Sequence, residues 1–133
     1  MASTGQWPLQ QAIYGVLTAD ATLMALISGV YDFVPAGAEY PYIAIGDAKG
    51  QDASSLGSPG MKYGIILNVY SQQGGRKEAA AIIDRAYTLL NGANLSVSGQ
   101  TLVYLHATAS TIALQKDGVT YCGELKLRAV LQG

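Results

Sequence analysis

Residues 61–70 alternate without a break. Met61, Tyr63, Ile65, Leu67 and Val69 fall on one side, and Lys62, Gly64, Ile66, Asn68 and Tyr70 on the other. That period of two predicts a half-buried strand. Beyond Gly74-Gly75 the period changes. Ala79, Ile82, Ile83, Ala86, Tyr87 and Leu90 recur at three- and four-residue spacing, a continuous stripe that predicts a helix laid on a core. Arg76, Lys77, Asp84 and Arg85 mostly lie off the stripe, and Asn91-Gly92 supplies a C-terminal cap.

The same two periods organise the rest of the chain. Leu9, Ala12, Ile13, Val16 and Leu17 form one apolar helical face, with Pro8 placed to begin the helix. Asp20 suits the N-cap of a second, short helix carrying Leu23, Met24, Leu26 and Ile27, ended by Gly29. Val30–Val34 reads as a short strand, and residues 41–47 as another with its proline first. From Ala48 to Gly60 the chain is Gly, Ser, Ala, Asp and Pro-rich, with a single large apolar residue at Leu56. This predicts a long loop, or two ragged strand ends joined by a mobile tip. A short strand is expected around Leu95–Val97, then two longer ones at 101–115 and 119–130. Lys116-Asp117-Gly118 joins them, a strong hairpin signal. In the last strand Val119, Tyr121, Leu125, Leu127 and Ala129 face the core, and Cys122, Glu124, Lys126 and Arg128 face away. The order is α-α-β-β-β-α-β-β-β, with no internal repeat and no linker. It predicts one α+β domain spanning 1–133, a mostly antiparallel β-sheet with helices packed on one face.

Composition narrows the function. The 133 residues are 50% hydrophobic and 13% charged, with a formal net charge of −1. Average domains carry roughly 25% charged residues, so more surface than usual is neutral and available to a partner. Disorder is excluded on the same numbers. Eight Lys and Arg against nine Asp and Glu build no overall basic footprint for nucleic acid. Residues 86–115 lack Asp, Glu, Lys and Arg, but Asn91, Gly92, Asn94, Ser96, Ser98, Gly99 and Gln100 break the stretch, so no membrane span is expected. The uncharged first nineteen residues lack a basic n-region, and Cys122 alone forms no intrachain disulfide. The chain is expected to be made in the cytosol.

Catalytic chemistry is thin. His106 is the single histidine, and zinc sites need three or four protein ligands. It could serve as a base for a serine or for Cys122, but a strand histidine with one hydrogen bond is the simpler reading. Lys126 and Arg128, four and six residues from Cys122, are roughly 13 and 20 Å away along a strand and cannot lower its pKa directly. Gly74-Gly75 lacks the spacing of a phosphate loop, and Asp47 and Asp52 face no second acidic pair. No catalytic, metal or cofactor site is expected.

Several segments, in order, resemble one family. They are Tyr31-Asp32 with Val34-Pro35-Ala36-Gly37-Ala38, Tyr40-Pro41-Tyr42-Ile43-Ala44-Ile45-Gly46-Asp47, Leu67-Asn68-Val69-Tyr70-Ser71 running into Gly75-Arg76-Lys77-Glu78-Ala79, and the strands around Asp117-Gly118. Over nearly the whole chain they resemble the tail-completion, or tail-terminator, proteins of long-tailed phages and gene-transfer-agent-like particles. The resemblance implies a structural, non-catalytic virion protein without a cofactor, assembled in the bacterial cytoplasm. It implies a homo-oligomeric ring, typically a hexamer, that caps the head-proximal end of the tail tube. Its partners would be the tail-tube protein and the head–tail connector or adaptor, with DNA passing through the lumen without sequence readout. Family members often carry more charge in the loop after Gly46-Asp47 than this Ser/Gly-rich one.

A closing ring needs two different complementary faces. The expected contact residues are Gln51, Asp52, Ser54, Ser55 and Leu56 of the loop, thought to order on assembly, and Glu124, Lys126 and Arg128 of the last strand. Arg76, Lys77 and Arg85 are lumen candidates, with a solvated helix face as the alternative. Rival readings are a connector or adaptor at the same junction, a dimeric small-molecule-binding α+β module with a closed apolar pocket, and an enzyme using Cys122 or His106.

Overall fold

The alternation of residues 61–70 sets the architecture. The computed structural model describes residues 5–53 and 60–132. Its elements are α1 (Gln6–Ala19), α2 (Ala21–Met24), β1 (Val30–Tyr31), β2 (Tyr42–Asp52), β3 (Gly60–Ser71), α3 (Lys77–Leu90), β4 (Thr101–Leu114) and β5 (Tyr121–Gln132). The strands form one sheet in the order β1-β2-β3-β5-β4, antiparallel apart from the β1–β2 pair. The fold is α+β, as expected.

Tyr63, Ile65, Leu67 and Val69 of β3 are buried, and register places them beside Ala129, Leu127, Leu125 and Gly123 of β5. Onto this floor pack Ala79, Ile82, Ile83, Ala86 and Leu90 of α3. Leu9, Ile13 and Leu17 of α1 and Leu23 of α2 complete the cluster. Gly123 lets α3 approach closely, since a Cβ there would lie 2.6 Å from Ile83 Cδ1.

Several expectations are corrected. The first helix starts at Gln6, behind Gly5 at φ 77°, so Pro8 lies two residues inside its first turn, where a missing N–H is harmless. Helix α2 stops at Met24, because the Leu26 N–H turns back to Leu23 O at 2.8 Å. Of the two apolar residues beyond it, Leu26 is left exposed and Ile27 reaches the core. The strand expected at Val30–Val34 is two residues long. It ends where Phe33 turns fully outward and Asp32 accepts a hydrogen bond from Gln10 Nε2 at 2.7 Å. No strand forms at 95–97, although Val97 is buried. The backbone there turns instead, Gln100 N–H donating to Val97 O. Tyr87 and Val119, expected in the core, are exposed.

The largest correction concerns residues 48–52. They are not loop but the second half of β2, paired from Ala48↔Ile65 to Asp52↔Met61. A bulge at Gly46-Asp47 resets the alternation. Beyond it the core side is lined by small residues, Ala48 and then Gly50. The buried Tyr63 ring covers Gly50, where a Cβ would stand 2.6 Å from Cε1. The ragged-strand alternative therefore describes 48–53, while the tip at 54–59 lies outside the described residues.

Candidate functional site

With the helices on one face, three surfaces remain for function: the open face of the sheet and its two edges. On the open face, register aligns Lys49 (β2), Gly64 (β3), Arg128 (β5) and His106 (β4) in one cross-strand row. The next row holds Gln51, Lys62, Val130 and Tyr104, and the row on the other side Ile66, Lys126 and Ala109. Lys49, Lys62, Lys126 and Arg128 are all exposed. They surround two adjoining troughs of about 230 and 330 Å³, with Gln51, Asp47 and Thr108 also lining them. The other end of this face is aromatic. Tyr42 packs on Tyr70 at 5.3 Å between centroids and on Tyr40 at 5.2 Å, with Tyr31 edge-on at 5.7 Å. Burial raises the pKa of both Tyr42 and Tyr70.

The two edges differ. β4, fourteen residues long, is the edge strand on one side. Asn91-Gly92 covers part of it, Gly92 N–H donating to Leu105 O at 2.7 Å and Ala107 N–H to Asn91 Oδ1 at 2.9 Å. Val103, Leu114 and the nearby Val119 are exposed along it. At the opposite edge β1 spans two residues. Helix α1, which carries no charged residue, lays Trp7 and Tyr14 beside it. Together with Val30, Tyr31 and Ile45 they line an apolar groove of about 490 Å³, open to the surface.

Of the expected contact residues, Gln51 and Asp52 are exposed at the end of β2, and Ser54, Ser55 and Leu56 lie outside the described residues. Glu124, Lys126 and Arg128 do face away from the helices. They occupy the middle of the sheet, however, since β5 is flanked by β3 and β4. The three lumen candidates stand at the N-cap of α3 or on the helix itself. Arg85 is committed to Asp20, its Nη2 donating at 2.7 Å and its Nε at 2.8 Å. Arg76 lies over the Tyr121 ring at 5.4 Å, and Lys77 opens α3, exposed. Lys49 and Lys62, which the sequence reading passed over, stand with Lys126 and Arg128 instead. For Lys62 the signal was present in its polar position within the β3 alternation. For Lys49 it was hidden by the bulge.

The reactive side chains have structural surroundings. His106 stacks on Tyr104 at 5.0 Å between centroids. Cys122 Sγ lies 3.9 Å from Asn68 Oδ1, and burial pushes its thiol pKa up, the reverse of what a thiolate nucleophile needs. Among the described residues no three His, Cys, Asp or Glu gather as a metal site, and no helix is long and apolar enough to cross a membrane.

Comparison with known proteins adds to this geometry. Residues 11–132 match the family model described as tail completion protein gp17. A chain in the structure of the virion of a native gene transfer agent particle superposes with a TM-score of 0.91. The two chains are 30% identical over 99% of this one and 100% of that one. The gp17 protein of bacteriophage SPP1 superposes with a TM-score of 0.62 at 28% identity, covering 91% of this chain and 86% of that chain. No curated protein sequence matches.

Proposed function

The chain belongs to the gp17 tail-completion protein family, a family of structural proteins and not of enzymes, and from that premise we propose that it is a ring-forming tail terminator of a phage-type particle. In this reading copies of the chain, six in the expected ring, close on the head-proximal end of the tail tube. The ring ends tube polymerisation, offers a surface to the head connector and leaves an axial passage for DNA. One observation carries the proposal: the full-length likeness, at a TM-score of 0.91, to a chain of a gene transfer agent virion. The protein accordingly resides in the particle.

The surfaces suit this role. A heterologous contact joins two unlike patches and closes into a ring when its rotation allows. Here the long β4 edge with Val103 and Leu114 lies across the sheet from the α1–β1 edge, where Trp7, Tyr14 and the apolar groove stand with Asp32. The rival small-molecule module asks for a closed apolar pocket, and this groove is open.

Light scattering over a concentration series, with and without tail-tube protein, tests the reading. A hexamer, or a monomer converted to a ring by tube protein, is expected. A concentration-independent dimer indifferent to tube protein would overturn it. Binding to portal or adaptor protein in place of tube protein would assign the chain to the connector instead.

A further inference from the structure

Half of the chain's eight basic residues stand on one surface. Lys49, Lys62, Lys126 and Arg128 occupy three adjacent strands of the open sheet face within three cross-strand rows. Among the described residues none of the four makes an ion pair, the Asp20–Arg85 bridge being the one found. Like charges on neighbouring strands repel, so the sheet face carries a net positive field. Two carboxylates border it: Asp47, which lines the same trough, and Glu124, one row beyond Lys126 on its side of β5. Four cations outnumber them. The overall charge of −1 hides this segregation, because charges farther off than about 8–10 Å are screened at moderate salt.

The floor of the patch is vacant. At Gly64, between Lys49 and Arg128, a Cβ would meet no heavy atom within 4 Å. Packing does not require that glycine, and its effect is a trough between two cations.

We propose that this face binds the sugar–phosphate backbone of duplex DNA without reading its sequence. Its donors are of the kinds that contact phosphate: Lys, Arg and Gln51. Protein interfaces differ, being depleted in Lys and centred on aromatic and apolar anchors. The exposed large apolar side chains of this chain stand elsewhere, on α1 and α3, after α2, along β4 and its hairpin, and around β1. Single strands bind by stacking bases on free aromatic rings, whereas Tyr104 and His106 here stack on each other. The inference goes beyond the ring reading, since the binding belongs to one protomer's sheet face.

Fluorescence anisotropy with the purified protein and a short mixed-sequence duplex tests it. Three or four phosphate contacts predict that affinity falls about 40- to 150-fold between about 50 and 200 mM salt. Lys62→Glu and Arg128→Glu should each weaken binding at least tenfold. Gly64→Thr, which fills the trough, should weaken it with the fold intact by circular dichroism. Lys77→Glu on α3 should bind as the parent does. Arg128→Gln replaces Arg128→Glu should the latter fail to fold. Absence of binding at low salt, binding unchanged in the sheet-face variants, or equal affinity for poly-glutamate would each overturn the proposal. Oligomeric state is read separately, so a ring that ignores DNA overturns this inference alone, and a protein that binds DNA without forming a ring overturns only the terminator reading.

Discussion

Asp20 and Arg85, 65 residues apart, form a two-point bridge while Asp20 also caps α2. The carboxylate accepts from Arg85 Nη2 at 2.7 Å and Nε at 2.8 Å, and Oδ2 accepts from Leu23 N–H at 2.8 Å. The hydrogen bonds from Arg85, then that from Leu23, lower the Asp20 pKa from 3.8 to about 2. A carboxylate whose folded pKa lies below its unfolded value stabilises the fold above the unfolded value, and the contribution disappears as pH falls through the folded one. Asp20→Asn should therefore lower the melting temperature at pH 7. The difference from the parent should shrink as pH drops from about 4 to 2, which melting curves at a series of pH values would show. A difference that stays constant to pH 2 would contradict the pairing.

Gly50 and Gly64 face opposite sides of the sheet on adjacent strands and should respond in opposite ways. Gly50→Val drives side-chain atoms into the buried Tyr63 ring and should cost about 1–3 kcal/mol. Gly64→Thr meets open space and should stay within about 0.5 kcal/mol of the parent. Urea titration measures both.

The hairpin turn is held from both of its central residues. Asp117 Oδ1 accepts the Val119 and Thr120 N–H groups at 2.9 and 2.8 Å, and Gly118 sits at φ 74°. Gly118→Val places a β-branched residue in the left-handed region and should cost about 1–2 kcal/mol. Asp117→Ala should lower the melting temperature too, with a deficit that fades in acid because the Thr120 hydrogen bonds keep the Asp117 pKa low.

If β4 is a subunit edge, charge placed on it should act on assembly and not on folding. Val103→Lys and Leu114→Lys alter exposed positions and should leave stability within about 0.5 kcal/mol. Each should reduce the mass seen by light scattering under conditions where the parent forms rings.

Cys122 and His106 should be dispensable. The double variant Cys122→Ser, His106→Ala is expected to assemble as the parent does, read by the same scattering experiment. Loss of assembly would give one of these side chains a role that their present contacts do not suggest.

Legibility in the sequence followed how many signals each element carries. α3 has an unbroken stripe, β3 a full alternation and the β4–β5 hairpin an Asp-Gly turn, so all three were readable. β2 was half lost. The Gly46-Asp47 bulge shifts its parity, and the core side of its second half is Ala48 and Gly50 because the Tyr63 ring occupies the space a large residue would fill. Lys49 was lost with it, and so was the basic patch, which exists only once β2, β3 and β5 lie side by side. Leu95 and Val97 show the opposite failure. They are apolar enough for a strand, yet they cover the core from a turn. Arg85 looked free because its partner precedes it by 65 residues.

The strand order has a consequence for how the protein is made. β3 pairs with β5, which leaves the ribosome some sixty residues later, and β5 enters the sheet already joined to β4 through a short turn. Until then the nascent chain holds β3 with one side unpaired and its apolar side chains incompletely covered, the kind of edge that recruits other strands. The same interval delays Lys126 and Arg128. Synthesis interrupted before the hairpin leaves β3 without the strand that covers it, and so with an open edge.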